Sequence, residues 1–312
     1  MFNKILIISG PTATGKTDLA IKLAKEFNGE LISADSRQIY KDMDIGTGKD
    51  HPKDIPIHLI DIINPNQAFS VAQYRKLALS TIYDLQSKNL LPVVVGGTGQ
   101  YIDSLINPQP TFSIKPNKIL RFILNKLHLK TLQRIYRFLD FRQFDCLNNS
   151  EIHNPHRLIR KIEISVFRYF HPSLLREGQG VSFDFLHLSL TASNTYLFPR
   201  IDSRVEKRLE NGLLDEIETL LSKYSWNHPG LNTIAYKEFK PYFSKVGVWL
   251  AQTRSTDILN SCISEWKSDE HKYARRQKTW FNKRPDIIFV DITNNNFLKK
   301  ITNLVSKWYN KP

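Results

Sequence analysis

Cysteine is scarce in these 312 residues: Cys146 and Cys262 stand alone, and their spacing matches no set of metal ligands. The expected state is buried free thiols in a reducing cytosol. No apolar run approaches the length needed to cross a bilayer, so no membrane partner is expected. The first strand begins almost at once, leaving no room for a signal peptide, and a cytoplasmic protein is expected. No tandem repeat or low-complexity tract occurs. Acidic residues are in deficit, with 30 Asp+Glu against 44 Lys+Arg, a net charge of +14. A kinase of small metabolites needs no such excess, whereas a nucleic-acid binder gains phosphate contacts and steering from it. A basic proteome or simple solubility would also account for it. Hydrophobic residues at 41% and charged residues at 24% suit one large globular domain or two smaller ones.

What is present begins at residue 10. Gly10-Pro11-Thr12-Ala13-Thr14-Gly15-Lys16-Thr17 follows the apolar run Ile5–Ile8 and precedes apolar residues at helical spacing (Leu19, Ala20, Leu23, Ala24). Strand, glycine loop and helix form the context of a phosphate-binding P-loop. The two glycines let successive N–H groups turn toward one anion. The helix N-terminus adds partial positive charge, Lys16 adds a full one, and the Thr17 hydroxyl can ligate Mg²⁺. The loop fits a diphosphate, and nucleotides are only its commonest bearers, so ATP binding is expected from the motif alone.

Short β-rich runs recur at Ile5–Ser9, Glu30–Ala34, Ile57–Ile62, Leu91–Val95, Phe185–Leu190 and Ile287–Val290, with helical stretches between. This alternation predicts an α/β fold: a P-loop NTPase-like parallel sheet flanked by helices, with ligands at the carboxyl ends of the strands. Three polar clusters fall at those ends: the P-loop, Asp35-Ser36-Arg37-Gln38, and Gly96-Gly97-Thr98-Gly99. One pocket is expected to gather all three. Residues 112–182 break the rhythm with helical spacing and no convincing strand, and carry thirteen Lys/Arg (Lys115 to Arg176) against five acids (Asp140, Asp145, Glu151, Glu163, Glu177). A basic helical insertion within a catalytic core of 1–111 and 183–312 is expected to hold a polyanion; a solvated charged helix pair is the plainer alternative. Pro199 is expected to open a long helix with Ile201, Val205 and Leu209 on one face. Further on, His271 to Phe281 interleaves cations, among them Arg275 and Arg276, with aromatics on a predicted helix that can grip a phosphate backbone.

Asp35 closes the second strand opposite the P-loop and can accept a proton from a nucleophile. Capping a following helix would explain it as well, though Ser36 could take that role. Thr98 offers a hydroxyl where two glycines allow a ligand to come close, and a bare tight turn would explain those glycines equally. A hydrolytic ATPase pairs its P-loop with an acidic strand end. Asp61 is the only ordinary candidate, and no acidic neighbour follows it.

Taken in order, Gly10–Thr17, Asp35-Ser36-Arg37-Gln38-Ile39-Tyr40, Met43-Asp44-Ile45-Gly46-Thr47, Val95-Gly96-Gly97-Thr98-Gly99-Gln100-Tyr101 and Tyr273-Ala274-Arg275-Arg276-Gln277-Lys278-Thr279-Trp280 resemble the tRNA dimethylallyltransferases (tRNA isopentenyltransferases). The resemblance runs from about Ile5 to Phe281, and no zinc-finger extension of the kind some members carry is expected. It implies transfer of a dimethylallyl group from dimethylallyl diphosphate to N6 of adenosine 37, in tRNAs reading codons that start with U. The P-loop would then hold an isoprenoid diphosphate, with Lys16 and Mg²⁺ at Thr17 stabilising the leaving pyrophosphate. Asp35 would take the N6 proton from a flipped adenosine of the anticodon stem-loop, Thr98 would contact substrate, and Arg204 would lie near the diphosphate. Asn154-Pro155-His156-Arg157-Leu158-Ile159-Arg160 is similar to the family's basic helical motif. The resemblance places His156, Arg157 and Arg160 against tRNA, together with Asp35, Ser36, Arg37, Gln38, Thr98, Arg275 and Arg276. A monomer is expected.

Departures from the family pattern are His156 for glutamine, Lys161-Ile162 for Ala-Leu, Gly46-Thr47-Gly48-Lys49-Asp50 for Gly-Thr-Ala-Lys-Pro, and Ala235 where glycine is usual. The competing readings are an adenylate isopentenyltransferase, a small-molecule kinase using ATP, and a non-enzymatic RNA-binding module. The basic insertion speaks against the first. The last leaves the P-loop and Asp35 without a purpose.

Overall fold

A computed structural model describes residues 3–311 apart from 51, 53, 108–110, 112–113, 172–182 and 245–255. Arg176, Glu177 and the expected insertion limits 112 and 182 lie outside the described residues. The chain divides into two compact units, Met1–Ile106 with Ser182–Pro312, and Asn107–Val181.

The first unit is built on one parallel sheet. Its strands are β1 (Lys4–Ser9), β2 (Gly29–Ser33), β3 (Ile57–His58), β4 (Leu91–Gly96), β5 (Asp184–Thr191) and β6 (Ile288–Asp291), in spatial order β3-β2-β4-β1-β5-β6. All six fall where the sequence predicts. β3 is shorter than expected, because Leu59 and Asp61 take left-handed φ values of 64° and 54° that end the extended run.

Alternation along β1 explains why helices cover both faces. Leu6 and Ile8 pack with Leu19 and Leu23 of α1 (Lys16–Glu26), whereas Ile5 and Ile7 pack with Tyr74 and Ile82 of α2 (Val71–Ser87) and Ile102 of α3 (Gly99–Ile106). Truncating a fully buried Leu or Ile to Ala in such a core costs about 2–5 kcal/mol. β1 sits where the strand order reverses, paired with β4 on one side and β5 on the other. The loop leaving its carboxyl end therefore opens at the topological switch point.

The second unit, among the described residues, contains only helices: α4 (Lys118–Leu124), α5 (Leu129–Leu139), α6 (Phe141–Asp145), α7 (Asn149–Ile152) and α8 (Pro155–Phe170). Asn154 caps α8 by accepting the Arg157 N–H, and Pro155 stands in its first turn, where no intrahelical donor is needed. Leu158 and Ile162 of α8 pack on Leu132 and Tyr136 of α5.

Back in the first unit, α9 (Asn194–Glu210) is capped by Ser193, so Pro199 lies inside this helix and does not open it. Gly212, at φ 94°, separates α9 from α10 (Leu213–Leu221). A 3₁₀ turn (Lys237–Phe239), α11 (Lys240–Ser244), the long α12 (Thr256–Phe281) and α13 (Phe297–Tyr309) complete the unit. Cys262 is buried as expected, but Cys146 is exposed. Among the described residues no helix is long and apolar enough to cross a membrane.

Candidate active site

The P-loop connects β1 to α1. Gly15 caps α1 in the left-handed region at φ 76°, a conformation that would strain a larger residue. This turns the first amides of the helix toward the cavity. Within the loop the Thr14 hydroxyl and the Lys16 amine donate to the Pro11 carbonyl, at 2.9 and 2.6 Å. Gln277 of α12 straps the loop to the neighbouring turn: its Oε1 accepts the Thr12 N–H at 2.9 Å and its Nε2 donates to the Gly97 carbonyl at 3.0 Å.

A cavity of about 580 Å³ opens over this loop. Its lining draws on all three polar clusters: Lys16 and Thr17, then Asp35, Arg37 and Gln38, then Gly96 and Gly97. The P-loop, the end of β2 and the end of β4 thus share one pocket, as the alternation of strands predicts. Desolvation, reinforced by repulsion from Arg204, lowers the Lys16 amine to about 7.

No helix follows Asp35, so it caps none. Its Oδ1 accepts the Arg37 N–H at 2.9 Å in a local turn, and the half-buried carboxylate lines the cavity. Arg37 is buried, pairing with Glu270 of α12 at 2.9 Å and stacking on Tyr273 at 4.6 Å. It belongs to the cavity wall, with its guanidinium engaged by protein. Gln38 Nε2 donates to the Gly48 carbonyl at 3.2 Å.

Thr98 does not line the cavity. Its Oγ1 accepts the Ser36 N–H at 3.0 Å and its hydroxyl faces Ser36 Oγ at 3.3 Å, so it braces the segment beside Asp35. The close approach expected at Gly96 and Gly97 is made by protein: a Cβ on Gly96 would fall 2.2 Å from the Ala34 carbonyl oxygen, and one on Gly97 would fall 2.0 Å from Gln277 Nε2.

Arg204 meets the P-loop as expected, donating Nη1 to Thr12 Oγ1 at 3.2 Å. Asp61 is turned away, ion-paired with the buried Lys49, which also holds Asp44 at 2.7 Å. Arg275 lies over Phe198 and Arg276 near Tyr273, both exposed on α12 and outside the cavity lining.

In the helical unit His156 and Arg157 are exposed, and Arg157 donates to the exposed Ser150 hydroxyl at 2.9 Å. Arg160, expected beside Arg157 as an RNA contact, is engaged internally. It donates to Glu163 and to the carbonyls of Thr111 and Ile114, at 3.2, 3.0 and 2.8 Å. Glu163 is buried and also binds Arg121 and the Asn117 N–H, so Arg160 serves the packing of its own unit.

A family model described as IPP transferase matches residues 38–284, and one described as isopentenyl transferase matches residues 3–58. The chain belongs to the IPP transferase family. Among curated relatives, the tRNA dimethylallyltransferase of Roseiflexus sp. (strain RS-1) is 35% identical, over 97% of this chain and 98% of its own length. That of Alkaliphilus oremlandii (strain OhILAs) is 37% identical, over 98% and 97%. Of solved structures, the full-length tRNA isopentenylpyrophosphate transferase of Bacillus halodurans matches with a TM-score of 0.69 at 29% identity, over 98% of this chain and 96% of its own. A eukaryotic dimethylallyltransferase acting on tRNA matches with a TM-score of 0.79 at 27% identity, over 99% and 80%. The fold of this IPP transferase is accordingly the P-loop NTPase-like parallel sheet with flanking helices.

Several residues of the site escape a reading of the sequence. Arg200 and Arg208 follow from the spacing of Arg204, one helical turn to either side, and that periodicity could have found them. Glu270 and Gln277 carried no such signal, because their hydrogen-bond partners lie 180 or more positions away.

Proposed function

We infer that this chain is a tRNA dimethylallyltransferase that modifies N6 of adenosine 37 in tRNAs reading codons starting with U. The single observation that supports this most is the joining, in one cavity, of a P-loop with the Asp35 carboxylate and the Arg204 guanidinium. The donor's diphosphate lies on the loop amides at the N-terminus of α1, between Lys16 and Arg204. Thr17, in the first turn of α1, lines the same cavity and offers the hard oxygen donor that Mg²⁺ accepts. When bound there, Mg²⁺ neutralises part of the charge on the departing pyrophosphate.

As the allylic C–O bond breaks, its electron pair leaves with pyrophosphate, and Lys16 and Arg204 stabilise the developing oxyanion. N6 of adenine forms the new bond to the allylic carbon. Its proton passes to Asp35, whose Oδ1 is held by the Arg37 N–H, leaving Oδ2 to receive it. Adenosine 37 reaches this carboxylate by leaving the stack of the anticodon loop. Ser36 and Gln38 flank the base, Thr98 holds Ser36 in place, and His156 and Arg157 with Arg275 and Arg276 take the RNA backbone. The exposure of those four side chains supports that role. The enzyme acts as a cytoplasmic monomer.

Mass spectrometry of adenosine 37 from cells with and without this protein tests the reading. The isopentenyl mass is expected only where the protein is present; its persistence without the protein refutes the assignment.

A further inference from the structure

Arg200, Arg204 and Arg208 recur every four residues on α9, share one face, and all line the cavity. The first two are tied to the P-loop, Arg200 Nε donating to the Ala13 carbonyl at 3.0 Å and Arg204 to Thr12. Arg208 is tied elsewhere. Its Nη1 donates to the Gly46 carbonyl at 3.1 Å, and Glu270 Oε1 stands 3.8 Å away.

The loop that receives Arg208 is shaped around it. Gly48 has φ +62°, and a Cβ there would fall 2.0 Å from Arg208 Nη2. Glu216 of α10 fixes the same loop, accepting the N–H groups of Asp44, Ile45 and Gly46 at 2.8, 2.7 and 3.0 Å and the Tyr236 hydroxyl at 2.7 Å. Four hydrogen bonds to one carboxylate leave the loop little freedom to shift.

The charges in this corner do not balance. Glu270 faces two guanidinium groups, binding Arg37 closely and Arg208 loosely, while its Oε2 is buried without a hydrogen-bond partner. Burial lowers Arg208 only to about 10, so it remains a cation at neutral pH. A guanidinium carries five N–H donors, and one carbonyl with a distant carboxylate engages few of them. A buried cation short of counter-charge is costly, and an anion entering the cavity relieves that cost.

We propose that Arg208 is a second diphosphate-binding arginine of this cavity, beside Arg204, oriented by Gly46 and Glu270 through the space that Gly48 leaves, and that it closes on the donor's diphosphate. The proposal rests on the cavity being the donor site. Glu270 is a positioning residue here, because it touches Arg208 and not the substrate.

The test is a titration of the full-length protein with inorganic pyrophosphate and with dimethylallyl diphosphate, alongside the KM for tRNA. Arg208→Met should weaken both diphosphates roughly ten-fold or more, the loss of one charge-assisted hydrogen bond, and leave the tRNA KM unchanged. Gly48→Ala, which expels the guanidinium, should weaken diphosphate in the parent and add nothing in the Arg208→Met background. Should Arg208→Met fail to fold, Arg208→Gln, which keeps a donor for the Gly46 carbonyl and leaves Glu270 paired with Arg37, takes its place, and the same loss is expected. Unchanged diphosphate affinity in folded variants overturns the proposal, as does a shift confined to the tRNA KM, which would assign Arg208 to an RNA phosphate. A parent protein that binds neither diphosphate refutes the donor-site reading itself, a result distinct from either.

Discussion

Removing the charge from Lys16 should weaken donor binding, and pH alone can remove it. The amine is lowered to about 7 by desolvation and then by Arg204, with Asp35 only partly opposing them. At pH 6 about nine-tenths of the molecules carry this charge and at pH 8 about one-tenth, so a ligand that requires it loses about ten-fold in affinity, about 1.4 kcal/mol. The sign follows from linkage: the diphosphate binds the protonated form, so binding at pH 8 takes up close to one proton. Ionisation of the ligand's own phosphate works in the opposite direction, strengthening binding as pH rises. Calorimetry with dimethylallyl diphosphate at pH 6 and pH 8, in buffers of different ionisation enthalpy, separates the two when Lys16→Met is measured beside the parent. The variant should bind more weakly at pH 6 and lack the proton uptake. If it shows the parent's pH dependence and proton uptake, the placement of Lys16 against the diphosphate is refuted.

Four further outcomes are expected. Asp35→Asn keeps an oxygen for the Arg37 N–H and should lower turnover by roughly 10²–10⁴ with tRNA affinity nearly intact, read in single-turnover assays; near-normal turnover removes Asp35 from the proton transfer. Arg157→Ala should flatten the salt dependence of tRNA binding by about one unit for each phosphate the guanidinium neutralises. Arg160→Ala, which deprives the buried Glu163 of a partner, should instead lower thermal stability; the reverse pattern would exchange their roles. Ala235 is buried at φ 82°, where a Cβ costs about 1–2 kcal/mol, so Ala235→Gly should leave the unfolding free energy, read by urea denaturation, unchanged or raise it by up to about 1 kcal/mol after the glycine's added chain entropy. A marked loss would show that the methyl packs more favourably than the backbone is strained.

Much of the core was legible because strands buried on both faces read as apolar runs, and the residues after them had to meet at the carboxyl edge. The P-loop, Asp35 and Arg204 come together there for that reason. Local chemistry misled in places. Pro199 reads as a helix start, yet Ser193 caps the helix a turn and a half earlier. Leu59 and Asp61 give no hint of left-handed backbone; the geometry goes with tertiary interactions such as Lys49 to Asp61. The resemblance places Arg37 and Arg160 against tRNA, but each pairs with a buried carboxylate (Glu270 and Glu163), contributed by another element in the case of Arg37. Composition counts charges without revealing which have partners. Glu216 and Glu270 were illegible for the same reason: the loop amides that Glu216 fixes and the Arg37 that Glu270 binds lie more than 150 residues away.

The central claim is that this P-loop holds an allylic diphosphate opposite a carboxylate that deprotonates an RNA base. Purified protein, Mg²⁺, labelled dimethylallyl diphosphate and unmodified tRNA carrying A36-A37-A38 test it in one incubation, read by nuclease digestion and mass spectrometry. Label is expected on N6 of adenosine 37, with release of pyrophosphate and no consumption of ATP. Label appearing on free AMP but not on tRNA, or stoichiometric ADP formed from ATP, would contradict it.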